Sequence, residues 1–323
     1  MSYEQIIEAI HQSSKIAITS HVVPDGDNVG SSLAMCLALR KLEKQAEFIL
    51  DDNIPEVYKY LKGAREVQKA ASLEALDFDL VIAMDCGDME RLGAVKQLAE
   101  RTRLINIDHH ISNTHFGEVN LVEVDASATA EIAYKLIKSM GIFIDKDIAD
   151  CVYTGIVTDT GMFQYSNTTE ETHAIAGELI ISGVEPNDIY NKIYQNNPKE
   201  KVLLMKEALK SLEFFCDSKA AFIAVSKAQM SAITSEDLDT EGIVNLGRDI
   251  AGVEVAAFFK EKEVGVIKVS LRSKKVADVC AIAQGFGGGG HIRAAGCTIK
   301  GSLEQAKQMV LQAIEKELQA VSL

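Results

Sequence analysis

The sequence is poor in proline and cysteine, with four prolines and six cysteines in 323 residues and no C-x-x-C pair. Scarce proline beside 22 glycines excludes collagen-like, mucin-like and disordered-tail organisation. The scattered cysteines exclude a zinc knuckle and a disulfide framework. No apolar run approaches the ~20 residues that span a bilayer. The start MSYEQI lacks a basic stretch leading into an apolar one and a small-residue cleavage site. The expectation is a cytoplasmic protein with reduced thiols and no membrane association. Positive charge is also in deficit, since 33 Lys and Arg stand against 47 Asp and Glu for a net charge of -14. That excludes a long duplex held by counterion release and leaves a short anionic ligand in a local pocket. No internal repeat is present, and the one low-complexity stretch is the glycine run 287–290.

What is present is enough apolar sequence, 47% of residues, for more than one core. The length predicts two domains. Residues 15–20 (KIAITS), 45–52, 78–85 and 103–108 read as strands separated by amphipathic helical patterns. The fold class is α/β, with an N-terminal parallel sheet carrying helices on both faces. Ligands of such sheets lie beyond the carboxyl ends of the strands. The spacing predicts a first domain over 1–185 and a linker with a connecting helix over 186–212. A smaller α/β domain follows over 213–323. Within it, 253–260 and 264–272 read as a hairpin around a turn at 261–263, followed by helical 276–284, the glycine run and a final helix over 303–320.

Four acidic or histidine-bearing segments fall where the parallel sheet should end or shortly after. The first strand runs into His21-Val-Val-Pro-Asp25-Gly-Asp27, where Pro24 and Gly26 are expected to bend the chain and aim both carboxylates at one point. The third strand delivers Asp85 and the fourth Asp108, His109 and His110, while Asp159 follows a helical segment. Each piece also has a plain structural reading: a D-x-D turn or helix cap, a cap at Asp85 for a helix beginning near Met89, a satisfied polar cluster at 108–110. Their coincidence at one sheet edge is what those readings explain poorly, because burying several carboxylates together needs a counter-charge. His21, Asp25, Asp27, Asp85, His109 and Asp159 are therefore the candidate metal ligands. Four carboxylates are balanced by two divalent cations, the arrangement used for in-line displacement at phosphorus. Mixed carboxylate and imidazole donors suit Mn2+ better than Mg2+, with Zn2+ or Co2+ as further occupants.

The glycine run reads as an anion cradle, because Gly288, Gly289 and Gly290 let backbone N–H groups approach a phosphate ahead of a short helix. A flexible linker is the alternative. Adjacent His291, with Ser270, Arg272 and Ser273 on the preceding hairpin, favours a phosphate pocket, and Arg272 supplies a planar donor fork.

The segments HVVPDGDNVGS (21–31), AMDCGD (83–88), NIDHH (106–110) and TGIVTDTG (154–161) resemble, in order, the motifs of the DHH phosphoesterase superfamily. VSLRS (269–273) and GGGGHIRAAG (287–296) resemble the DHH-associated C-terminal domain of its nanoRNase and pAp phosphatase branch. The resemblance implies that His21, Asp25 and Asp85 hold one metal and that Asp27, Asp85, His109 and Asp159 hold the other. Asp108 orients a histidine, and His110 faces the reacting phosphate as general acid. The family's basic residue after the glycine-rich histidine is Ile292 here, with Arg293 one position later. The implied active site lies in an interdomain cleft. The implied substrates are single-stranded RNA of about two to five nucleotides, for which local positive potential suffices, and 3',5'-bisphosphoadenosine (pAp). In both, water attacks the phosphorus on the 3' oxygen and leaves a 5'-mononucleotide. Short DNA, cyclic-dinucleotide products and a homo-oligomeric state are compatible. Rival readings are a linear or cyclic dinucleotide phosphodiesterase, a manganese inorganic pyrophosphatase, and a non-catalytic nucleotide sensor.

Overall fold

The structure is a computed structural model and describes residues 3–70, 77–234, 240 and 242–321. The chain forms two compact units, one through Asn196 and one from Asn197. In the first, β1 (Lys15–Thr19), β2 (Gln45–Leu50), β3 (Gln68–Lys69), β4 (Leu80–Met84), β5 (Leu104–Asp108) and β6 (Val119–Val122) form one sheet. All pairings are parallel and the order is β3-β2-β1-β4-β5-β6. Its helices are α1 (Tyr3–Gln12), α2 (Gly26–Lys41), α3 (Lys96–Ala99), α4 (Thr129–Ser139), α5 (Lys146–Asp159), α6 (Glu170–Ile181) and α7 (Pro186–Tyr194).

Side chains alternate across the sheet, so Ile16, Ile18, Ile82 and Met84 enter a core with Val29, Leu33, Ile132 and Val152, while Ala17, Val81 and Ala83 meet Leu92, Val95 and Leu98. The strands are buried on both faces, which is why they read as continuous apolar runs. The sheet order reverses between β1 and β4, and loops leaving the carboxyl ends of two such strands diverge and open a crevice. β3 and β6, with two and four residues, are too short to show a periodicity in sequence.

The second unit holds β7 (Glu213–Phe215), β8 (Ala220–Val225), β9 (Val255–Glu263), β10 (Val266–Ser273), β11 (Gly289–His291) and β12 (Ala294–Lys300). The order is β11-β12-β10-β9-β8-β7, antiparallel except at β8–β9. Its helices are α8 (Lys199–Lys210), α9 (Lys227–Ile233), α10 (Asn245–Arg248), α11 (Val279–Gln284) and α12 (Leu303–Val321). Helices α11 and α12 cover one face of the sheet, burying Val269 and Leu271 against Ile282 and Val310. On the other face, Leu204 and Ala208 of α8 pack on Ile223, Val225 and Phe258.

Two sequence expectations are corrected here. The hairpin turns at Val264 and Gly265, where Gly265 takes φ +79, while 261–263 still belong to β9. The glycine run does not head a helix but runs into edge strand β11. A Cβ at Gly288 would lie 2.2 Å from the Gly296 carbonyl oxygen, so only glycine lets the two segments close. Residues 186–212 are divided, with Ile189 of α7 in the first unit's core and α8 packed on the second sheet. Among the described residues no helix is long and apolar enough to cross a membrane.

Candidate metal centre

Strand ends and helix ends bring the six candidate ligand side chains together. His21 stands two residues beyond β1, and Asp85 directly follows the neighbouring β4. Asp25 is the N-cap of α2, its Oδ1 accepting from the Asn28 N–H at 3.0 Å, while Oδ2 lies 3.6 Å from His21 Nε2. One oxygen of this carboxylate thus caps the helix, while the other faces His21. Gly26 is the first residue of α2 and makes no bend, contrary to expectation; its missing Cβ admits Thr158, whose Oγ1 would lie 2.3 Å away. Asp88, and not Asp85, caps the turn that begins at Met89.

The two oxygens of Asp85 face different imidazoles. Oδ2 is 3.5 Å from His21 Nε2 and Oδ1 is 3.7 Å from His109 Nε2. His109 Nε2 is also 3.6 Å from Asp159 Oδ2 and 4.0 Å from Asp27 Oδ2. Two ligand triads result, His21-Asp25-Asp85 and Asp27-His109-Asp159, each with donor atoms within 4.8 Å of one another. Asp85, His109 and His110 form a third combination. His110 Nδ1, however, is committed to Asp108 Oδ1 at 2.7 Å.

The imidazoles are set in the right tautomer. His21 Nδ1 donates to the Val22 carbonyl at 2.7 Å and His109 Nδ1 to the Ala126 carbonyl at 3.1 Å. A carbonyl only accepts, so both Nδ1 atoms carry hydrogen and both Nε2 atoms are the ones presented to the carboxylates.

Electrostatics shows that the donor set fits a cation. Burial, with the charges of Asp85, Asp159 and Asp25, pushes Asp27 well above the usual carboxylate range. Burial pushes Asp159 up to about 7, with His109 pulling against it. Burial opposes charge on His21, yet Asp25 and Asp85 push it up to about 10. Asp85 is lowered despite burial, because His21, His110 and His109 surround it. A buried donor set that balances itself with protons on imidazoles and carboxylates is one in which a divalent cation displaces those protons.

Several supporting residues were not legible in the sequence. The first N–H groups of α4, from Thr129 and Ala130, donate to Asp27 at 2.7 and 2.8 Å, so a helix N-terminus holds this carboxylate. Thr129 Oγ1 donates to Asp85 Oδ1 at 2.9 Å. Asn167 Nδ2 donates to the Asp159 carbonyl at 3.2 Å and to that of Ser127 at 2.9 Å. Asn113 Nδ2 donates to Asp108 Oδ2 at 2.5 Å. At Gly155 a Cβ would lie 2.8 Å from Asp27 Oδ1, which fixes how closely α5 approaches α2. Because the Thr129 hydroxyl aims Asp85 Oδ1, Thr129→Val is expected to weaken Mn2+ binding roughly 10- to 100-fold if Asp85 is a ligand. Thr129→Ser should restore it, both read by calorimetric titration of metal into the apoprotein.

In the second unit, Arg272, Ala294 and His291 stand directly opposite one another across β10, β12 and β11. Ser270, Gly296 and Gly289 form the adjacent row on the same face. Ser273 is not with them, since its parity along β10 turns it inward, where its buried Oγ donates to the Ala277 carbonyl at 2.7 Å. Gly290 adopts φ +145 against Ala294 and Ala295, so Gly288 and Gly290 serve the hairpin while Gly289 stays open. Arg293, one place after the expected basic position, donates to the Ala277 carbonyl at 2.6 Å and braces the hairpin.

Residues 15–156 match the family model described as the DHH family N-terminal domain, and 217–320 match the DHHA1 domain. The bifunctional oligoribonuclease and PAP phosphatase NrnA of Thermus thermophilus is 33% identical, over 97% of this chain and 93% of its own length. The chain belongs to the DHH phosphoesterase family. The NrnA of Bacillus subtilis is 27% identical over 91% of this chain and 92% of its own. The crystal structure of an exopolyphosphatase-related protein from Bacteroides fragilis superposes with a TM-score of 0.93 at 30% identity, covering 99% of this chain and 97% of that one. RecJ from Thermus thermophilus, solved in complex with Mn2+, shares the fold at a TM-score of 0.56 and 15% identity, over 97% of this chain and 54% of that one. Members of the DHH family are phosphoesterase hydrolases, and this chain is a hydrolase of that class.

Proposed function

We propose that this DHH phosphoesterase removes 5'-mononucleotides from short single-stranded oligoribonucleotides and converts pAp to AMP. The observation that supports the reading is the position of Asp85 at the sheet's switch point, with one oxygen beside His21 of the first triad and the other beside His109 of the second. Relatives named as oligoribonuclease and PAP phosphatase, aligned over nearly the whole chain, support the choice of substrates.

His21, Asp25 and Asp85 would hold one divalent cation, and Asp27, Asp85, His109 and Asp159 the other, with Mn2+ best matched to these donors. Divalent ions bound there supply charge neutralisation at the phosphoryl oxygens and water as a nucleophile near neutral pH. Asp108, buried and fixed by Asn113, holds the His110 ring through Nδ1. His110 Nε2 is then the group that protonates the departing 3' oxygen. One bond is broken in both substrates, the P–O bond to the 3' oxygen, so one arrangement of side chains serves both. Arg272 and His291 grip a substrate phosphate, with Ser270, Gly289 and Gly296 as a floor low enough for close approach. The test is product analysis of the Mn2+-loaded protein with pAp, an RNA dinucleotide, a 24-mer, cyclic di-AMP and pyrophosphate. AMP from pAp and mononucleotides from the dinucleotide are expected, with the other three turned over slowly or not at all. Preferential release of phosphate from pyrophosphate, or linearisation of the cyclic dinucleotide, would replace this reading by a rival one.

The assignment of Arg272 and His291 has its own check. Removing a charge-assisted hydrogen bond to phosphate lowers kcat/KM on the order of tenfold to a hundredfold. Arg272→Ala and His291→Ala should therefore be impaired on pAp and the dinucleotide, with metal content intact and near-normal turnover of bis-p-nitrophenyl phosphate. Equal impairment on all three substrates would place these residues in the chemical step or the fold.

A further inference from the structure

Helix α4 has Ala128 as its N-cap, a residue whose side chain offers no hydrogen-bond acceptor. An ordinary cap at 128 would accept from the N–H of Ala130 or Glu131 and so compete with Asp27, which takes the Thr129 and Ala130 N–H groups. The start of the helix is anchored in another way. Glu131, buried at 1% exposure in the first turn of α4, turns back on the segment that leads into the helix. Its Oε2 accepts from Ser127 Oγ at 2.8 Å, from the Ser127 N–H at 3.3 Å and from Thr172 Oγ1 at 3.2 Å. Its Oε1 lies 3.1 Å from Lys135 Nζ, one turn further along α4. The pattern is a capping box moved out by one residue, and it leaves the first N–H groups of the helix to Asp27.

The backbone that Glu131 pins is the backbone on which one triad leans. The Ala126 carbonyl takes His109 Nδ1, the Ser127 carbonyl takes Asn167 Nδ2, and Asn167 in turn holds the Asp159 carbonyl. Thr172, on the far side of Glu131, closes with Thr169 the capping box that starts α6, two residues beyond Asn167. Asp27, His109 and Asp159 are therefore all held by residues tied to this carboxylate. The triad of His21, Asp25 and Asp85 is held differently. His21 Nδ1 bonds the Val22 carbonyl and Asp25 caps α2, both within residues 21–28. Asp85 meets α4 through Thr129 at Oδ1, the oxygen beside His109.

We infer that Glu131 is a positioning residue for the cation site of Asp27, His109 and Asp159, and that it sets the affinity of that site without touching ion or substrate. The inference deepens the proposed function and rests on its assignment of these three side chains as ligands. A buried carboxylate is a costly anchor for a helix start, and it holds its place only where every bond it makes is in order. Here those bonds join the entry to α4 with the entry to α6, so a change at one side chain reaches the holders of three ligands together. The partner triad, fixed by local bonds, is left as it was. The two cation sites then differ in what supports them, and they can be separated by a substitution remote from both.

The test is Glu131→Gln in the full chain, with Leu136→Ala, a core change in the same helix, as control. Glutamine keeps the volume and removes the charge that faces Lys135. Mn2+ is titrated calorimetrically into metal-free wild type and both variants, and the Mn2+ dependence of pAp hydrolysis is followed alongside. Wild-type protein is expected to take two equivalents. Glu131→Gln should keep one at wild-type affinity and bind the other roughly 10- to 100-fold more weakly. Its turnover should recover at saturating Mn2+, with KM for pAp within about twofold of wild type. Leu136→Ala should lower the melting temperature and leave both affinities unchanged. If Glu131→Gln folds poorly, Ser127→Ala, which removes one of the three bonds to Oε2, must show the same one-site loss at smaller size. Equal weakening of both sites, or unchanged affinities with a lowered melting temperature, makes Glu131 a structural residue and overturns the inference. Failure of the proposed function reads differently, because wild-type protein would then release no AMP from pAp while the Mn2+ titrations still show the one-site loss.

Discussion

Asp85→Asn is expected to lose both divalent ions and to lower kcat/KM on pAp by on the order of 10³-fold or more. No other single change should cost as much, because Asp85 alone presents one oxygen to each triad, Oδ2 beside His21 and Oδ1 beside His109. Asparagine keeps the volume, and its amide oxygen can still accept from Thr129, so the fold should survive. Without metal the variant should melt below the wild-type temperature, since Asp85 is held in its charged form by His21, His110 and His109 and its neutralisation removes their counter-charge. Ligand binding stabilises a native state in proportion to the logarithm of ligand over Kd, about 2.7 kcal/mol at a hundredfold excess. Wild-type protein should therefore gain melting temperature on adding Mn2+, and Asp85→Asn should not. A variant that retains one full equivalent of tightly bound Mn2+ would show that Asp85 serves only one triad.

The adjacent histidines should separate cleanly. His109 Nε2 lies among Asp85, Asp159 and Asp27, whereas His110 is tied through Nδ1 to Asp108. His109→Ala is expected to lose an ion and with it turnover. His110→Ala is expected to keep both ions and to lose roughly 10² to 10⁴ in kcat, the range for removing a general acid. The loss should be smallest on substrates with a good leaving group such as p-nitrophenolate, which needs no proton. Burial opposes charge on His110, yet Asp108 and Asp85 push its pKa up to about 9, so the ring is charged at neutral pH before any cation enters. Metal analysis of the two purified variants decides the assignment. Equal loss of metal from both would make His110 a ligand and remove it as the acid.

The convergence of the candidate ligand side chains was legible in the sequence because each stands at a strand end or helix end. A parallel sheet gathers the ends of its strands at one edge, so His21, Asp85 and His109 converge without any knowledge of side-chain geometry. The hydroxyl of Thr129 was not legible. It occupies the first turn of α4, where threonine is ordinary, and only the tertiary fold brings that turn against Asp27 and Asp85. Strand parity would have separated Ser273 from Ser270 and Arg272, since an odd step along β10 changes face. The glycine run was read as an anion loop because backbone freedom and close packing leave the same residue in the sequence. At Gly288 and Gly290 it is packing against β12 that requires glycine.

The proposed two-ion centre is tested most directly by titrating metal-free protein with Mn2+ while following pAp hydrolysis in the same samples. Two equivalents are expected to bind, with turnover appearing as the second site fills and falling to background in excess EDTA. Full activity in excess EDTA, or saturation of both binding and turnover at one equivalent, would contradict the shared role of Asp85.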